Sequence, residues 1–487
     1  MFQGDKELLE IVRKLEPILG SDVRELWYSY LNAVLPSLKD RRARDILLLG
    51  ELVLGLYDEP VLLRPPEQEF HEGKIELGKI LYGHEETGNF TLDKEALVRH
   101  VGIFGTTGSG KTNLLYLLIE QLQRNGIPFQ FFDVKQNFRH LLEKTEFEEK
   151  IKVSILGTDI GNFKDNHLAF PEHPILPRKL WALMWANFVI KLLERSYLLG
   201  HGVNHVLRTG ISKAYEGFGI FNGVRKFPTW HDVEIATRGV FVRRGRKLLW
   251  MDTKDRLVGE GGSLVFEGGL GNISNTRERF PIETFLKENH ILELDYLVEE
   301  DRTFQVDMLL LRIYIDALIN NRRGKLRNIV GFPEAHNILR KESENLNTFP
   351  ELMFKQLREM GTGLVYETQN ASELPMSVLQ NTNTVISFRQ NVHREISTMQ
   401  GTLLLDFEDS DFLGRLKVGE GIVKTSDSEN AFHVRFPLLR IEKKIDDKFL
   451  EDKFQTFVPN PPLGKGFEYL KFQRRRGYKP WIMTRKR

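Results

Sequence analysis

The chain has 487 residues, 28% of them charged, with a formal net charge of +2 and no cysteine. That length allows two or three domains with a sizeable core. The near-neutral balance means that any nucleic-acid footprint must be local, and the missing cysteines exclude disulfides, thiolate metal sites and cysteine nucleophiles.

Residues 1–62 read as a helical arm. Leu8, Leu9, Ile11, Val12, Leu15 and Ile18 recur at helical spacing, followed by Leu26, Tyr30, Leu31 and Leu35. Ile46 to Tyr57 is too short for a membrane span and contains Glu51, so a packed helix is expected. With no signal-peptide pattern at the N-terminus, the expectation is a soluble, cytoplasmic protein without membrane association. The breaker Leu63-Arg64-Pro65-Pro66 opens a short β segment expected over 63–100, in which Lys74 to Leu97 shortens into strand-like runs separated by Gly83 and Gly88.

The most informative stretch follows the apolar run Val101 to Phe104. Gly105, Thr106, Thr107, Gly108, Ser109, Gly110, Lys111 and Thr112 have the G-x-x-x-x-G-K-[ST] spacing of a phosphate cradle, and a helix-like run begins at Asn113. Backbone N–H groups would surround phosphate at the positive end of that helix. Lys111 would meet the β- and γ-phosphates and Thr112 would hold Mg²⁺. A GTPase is disfavoured because no N-K-x-D guanine-reading motif occurs.

Further apolar runs at Pro128 to Asp133, Ile291 to Asp295, Ile329 to Phe332, Gly363 to Thr368 and Thr384 to Arg389 read as buried strands. Helical patterns at Phe304 to Ile319 and Leu352 to Met360 separate them. Alternation of this kind predicts an α/β fold with a parallel sheet, and Gly105, Asp133, Glu334 and Gln369 are expected at its carboxyl ends. Residues 158–285 interrupt the pattern as an inserted, mainly helical subdomain, aromatic from Trp181 to Tyr215. Its glycine clusters, Gly259 to Gly262 and Gly268 to Gly271, read as loops. In Phe332-Pro333-Glu334-Ala335-His336-Asn337, Glu334 is the candidate for orienting a water, while His336 is either coupled to nucleotide or structural.

Together ELGKI, HVGIFGTTGSGKTNLL, FFDVK, ILELDYL, PEAHN, LREMGTGLVYETQN, VLQNTNTVISFR and KVGEGIV, spread over residues 76–425, resemble the HerA–FtsK class of P-loop DNA-pumping ATPases, and within it the HerA-like helicases. The resemblance implies a RecA-like core over 101–157 and 286–440, a homo-hexameric ring with duplex DNA in its pore, and a nuclease or other effector partner in repair or anti-phage defence. It implies that residues 105–113, Asn113 included, bind ATP with Mg²⁺, that Glu334 activates water, and that Gln369 senses the γ-phosphate. Arg358 and Arg389 match positions of arginines facing a neighbour's nucleotide, with the choice between them open. Two departures stand out. The family usually has Asp-Glu at Pro333-Glu334, so Asp133 is the substitute candidate for supporting Mg²⁺, and a weakly hydrolysing assembly scaffold is the competing function. The helical N-terminus replaces the family's usual small β-barrel. The turn Arg243-Arg244-Gly245-Arg246-Lys247, and a C-terminal tail (441–487) whose last 23 residues hold nine Lys or Arg against Glu468, read equally as DNA contacts or as a solvated basic face or a tail that latches onto a neighbouring subunit.

Overall fold

The computed structural model describes residues 3–55, 61–66, 74–199, 201–238, 254–259, 262–265, 268–337, 339 and 349–454. Both basic clusters lie outside these residues. The described strands are β1 (Ile75–Tyr82), β2 (Glu85–Leu92), β3 (Val101–Phe104), β4 (Phe129–Asp133), β5 (Ile151–Ile155), β6 (Asn289–Glu293), β7 (Asn328–Phe332), β8 (Thr362–Thr368), β9 (Thr384–Phe388), β10 (Glu420–Lys424) and β11 (Phe432–Arg435). Contacts divide the chain into two compact units, one of residues 1–127, 334–344 and 363–440, the other of 128–333, 345–362 and 441–487.

In the first unit the strand order is β2-β1-β11-β10-β9-β3-β8. The expected parallel arrangement holds where β3 lies between β8 and β9. The pairings from β9 through β10, β11 and β1 to β2 are antiparallel, a margin that the alternation of strands and helices did not foresee. β10 and β11 are only five and four residues long, which leaves little periodicity to read. Gly83 forms a tight turn between β1 and β2 at φ +63°, a region that glycine enters without strain. Gly88 lies inside β2 and separates nothing. Residues 94–97, expected as strand, belong to a short helix, α4 (Lys94–Val98), because the Asp93 carboxylate accepts the Ala96 N–H at 2.6 Å and caps it.

The arm folds as α1 (Gln3–Leu19), α2 (Ser21–Leu31) and α3 (Pro36–Leu54). Leu8, Val12, Leu15, Val23, Trp27, Tyr30, Ile46 and Leu54 share one core with Tyr82 of β1. Tyr30 donates to Asp5 at 2.6 Å, and burial, followed by that carboxylate, pushes its hydroxyl up to about 12. Leu31 and Leu35, expected on the apolar face, are exposed. Among the described residues no helix is long and apolar enough to cross a membrane.

In the second unit β7-β4-β6-β5 are all parallel. The connection from β5 to β6 carries the helices Arg178–Tyr197, His201–Phe218 and Trp230–Arg238. Trp185 and Trp230 are buried there, and their indole N–H groups donate to the His167 carbonyl and to His167 Nδ1. Gly269–Ser274 is a short helix with Leu270 and Ile273 buried, so three of the four residues of the second glycine cluster are helical and not loop.

Candidate active site: a phosphate cradle between β3 and the helix that follows it

All four residues of β3 are buried, and the chain leaves the strand into the loop 105–110 before entering α5 (Lys111–Arg124). Gly105, Gly108 and Gly110 have φ of +149°, +76° and +121°, where side chains are strained. A Cβ on Gly105 would lie 2.7 Å from the Phe388 Cβ, and one on Gly110 only 3.2 Å from the Gly419 backbone. The loop is held from several sides. Thr106 N–H donates to the Arg389 carbonyl at 2.9 Å, the Ser109 hydroxyl donates to the Thr106 carbonyl at 2.7 Å, and Gly419 N–H donates to the Ser109 carbonyl at 2.9 Å. The KVGEGIV motif therefore buttresses the cradle through Gly419, a role that sequence spacing alone could not assign.

α5 begins without a side-chain cap, so its first N–H groups and their positive end face the loop. Lys111, 5% exposed, donates to the Thr106 carbonyl at 3.1 Å and lies 3.5 Å from Glu367. Thr112 stands next on the helix, half-buried. Asn113 is engaged elsewhere: its amide donates to the Pro437 carbonyl and accepts from Leu439 N–H, both at 2.8 Å, clasping the strand exit after β11.

Gln369, one residue beyond β8, accepts from the Thr107 hydroxyl at 2.9 Å, which ties the expected sensor to the cradle. Glu334 is 7% exposed with φ +56°, a left-handed conformation that costs a residue with a Cβ roughly 1–2 kcal/mol. The Glu334 carboxylate lies 3.6 Å from His336 Nδ1, which is 3.4 Å from the Thr368 hydroxyl. His336 thus stands between the candidate acid and the strand that ends at the sensor. The Arg389 backbone holds the cradle, while its Nε is buried with no hydrogen-bond partner. Glu367 was not singled out from the sequence. The available signal was an acid inside the otherwise uncharged run Thr362 to Thr368, but its partner could not be read.

The remaining expected residues belong to the second unit. Arg358 is exposed on the helix Phe349–Glu359. Asp133 ends β4, 1% exposed, and its two oxygens accept from the N–H groups of Lys135 at 2.9 Å and Phe138 at 2.8 Å. Burial pushes this carboxyl up, against the backbone amides that favour its charged form.

Residues 75–171 match the family model described as the central domain of helicase HerA. Among solved structures, the chain is similar to VirB4 of Thermoanaerobacter pseudethanolicus, with 16% identity, 76% of this chain and 97% of that chain covered, and a TM-score of 0.55. It is also similar to the plasmid coupling protein TrwB in complex with a non-hydrolysable ATP analogue, with 12% identity, coverage of 81% and 98%, and a TM-score of 0.52. A further TrwB structure, solved with ADP and Mg²⁺, covers 73% of this chain and 88% of that chain at 12% identity and a TM-score of 0.51. At these identities the likeness establishes the fold, a P-loop core of RecA-like type. No curated protein matches the sequence.

Proposed function

We propose that this chain is an ATP-driven, ring-forming DNA translocase or helicase of HerA type. The observation that carries the proposal is the cradle itself: three glycines with left-handed or open φ, a buried lysine at an uncapped helix start, and Gln369 bonded to the loop through Thr107. These residues fit a nucleotide triphosphate, because backbone donors and the helix end converge where phosphate oxygens need them. Lys111 would bind the β- and γ-phosphates, and the Thr112 hydroxyl would hold Mg²⁺. The ion would supply charge neutralisation and alignment of the phosphates when bound. Glu334 would orient the attacking water, with His336 steadying its carboxylate, and Gln369 would report the terminal phosphate to β8.

The two arginines divide by their surroundings. Arg389, anchored to its own cradle through its carbonyl, suits action within one subunit. Arg358, exposed on a helix of the second unit, suits contact with a neighbour's nucleotide. The ring, duplex DNA in its pore, and a nuclease or other effector partner in repair or defence follow from the HerA resemblance.

Pro333 favours a second reading, a weakly hydrolysing scaffold that assembles an effector. One experiment separates the two: ATP turnover with and without duplex DNA. The translocase reading expects strong stimulation by duplex and its loss in Arg358→Ala. Slow turnover indifferent to DNA would favour the scaffold.

A further inference from the structure

β8 is buried along its whole length and carries one acid, Glu367, only 4% exposed. A carboxylate taken out of water in this way is costly unless a cation answers it. Its oxygen lies 3.5 Å from the Lys111 ammonium, which also donates to the Thr106 carbonyl at 3.1 Å. Lys111 is itself buried, and it opens α5, whose N-terminus already carries partial positive charge. Two positive features in one buried place call for an anion. Glu367 is a fixed anion covalently part of the sheet, whereas nucleotide phosphate is a mobile one, and both address the same ammonium.

We propose that Glu367 is a positioning residue that competes with nucleotide phosphate for Lys111 and thereby sets the affinity of the cradle. The proposal rests on the cradle being a nucleotide site. Glu367 holds Lys111 toward β8, so a phosphate that takes over the lysine must displace or share that contact, and it then faces the negative charge of a nearby carboxylate. The penalty falls most on the terminal phosphates, which is where a P-loop lysine reaches. Glu367 therefore weakens binding of triphosphate more than diphosphate.

Calorimetric titration of the full chain with the Mg²⁺ complex of a non-hydrolysable ATP analogue, and separately with ADP, tests this. Glu367→Gln keeps the shape and removes the charge. It is expected to bind the analogue about tenfold more tightly, with a smaller gain for ADP. Unchanged or weaker analogue binding overturns the proposal, the weaker result indicating that the carboxylate supports the metal instead. Should the Gln variant not fold, Glu367→Asp keeps the charge but shortens its reach, and a smaller gain of the same sign is expected; no gain overturns the proposal. Thermal unfolding of nucleotide-free protein gives an independent reading. Lys111→Met is expected to lower the melting temperature by removing the ammonium beside Glu367, and adding Glu367→Gln to recover part of it, whereas simple additivity would show that the pair is not coupled. A parent protein that binds no analogue sinks the nucleotide reading and this proposal with it. A parent that binds it, with a Gln variant of equal affinity, sinks this proposal alone.

Discussion

Two places in this molecule gather buried charge at the carboxyl ends of parallel strands, and they are built in opposite ways. At the ends of β4 and β6, the acids are saturated. Asp133 holds two backbone amides, and Glu293 takes a paired contact from Arg139, one arm of it at 2.7 Å, while Arg139 also reaches Asp447. At the ends of β3 and β8, Lys111 makes two looser contacts of 3.1 and 3.5 Å, the helix start is uncapped, and Glu334 sits in a strained backbone conformation. Burial and charge are common to both places, so neither marks function by itself. What marks the cradle is interaction capacity left unspent, with strain retained at the candidate acid.

Lys111→Ala should give the largest functional effect, since the cradle loses its one point charge against phosphate. Calorimetry should find no measurable ATP binding, and an affinity equal to the parent's would remove the distinction between the two places. Glu334→Gln comes next. It keeps the side chain's shape but cannot accept a proton, so turnover should fall about 10²–10⁴-fold while ATP still binds.

In the saturated cluster the consequence should be stability and not activity. Arg139→Met strands Glu293 and should destabilise the fold by about 3–5 kcal/mol in denaturant unfolding, with nucleotide affinity unchanged. Burial pushes Glu293 up to about 7 against Arg139, and Asp133 and Asp295 add to the rise. A folded-state value above the ordinary 4.5 means that the folded state favours the protonated Glu293, so its contribution to stability is full below about 4.5 and falls as pH rises through about 7, with Arg139 limiting the loss. Glu293→Gln should flatten the pH dependence of stability across that window. A nucleotide defect in Arg139→Met would instead place the cluster in the machinery.

Pro333→Asp should have the smallest effect. Adding a carboxylate beside Glu334 should raise turnover modestly and lower the Mg²⁺ concentration needed for half-maximal activity. A variant matching the parent in both would show that position 333 does not serve the metal.

The cradle was legible in the sequence because its constraints are local: glycine spacing, a preceding apolar strand and a following helix lie within about twenty residues. Strands β4, β7, β8 and β9 were legible for the same reason, each being a short apolar run. The tie of Thr107 to Gln369 and the pairing of Lys111 with Glu367 join residues more than 250 positions apart, and no periodicity reports such partners. Asp133 was legible as an acid at a strand end, but the two amides it holds lie two and five residues ahead in a turn whose shape the sequence did not reveal. The antiparallel margin escaped because β11 and β10 are short and β1 finds its partner at the far end of the chain.

On the proposed function, this cradle powers a ring around DNA, and electron microscopy of the Glu334→Gln protein with Mg²⁺, ATP and duplex DNA tests it. Sixfold rings with nucleotide against Lys111 in each subunit and duplex density through the pore are expected. Single subunits with no nucleotide at Lys111, under the same saturating conditions, would contradict it.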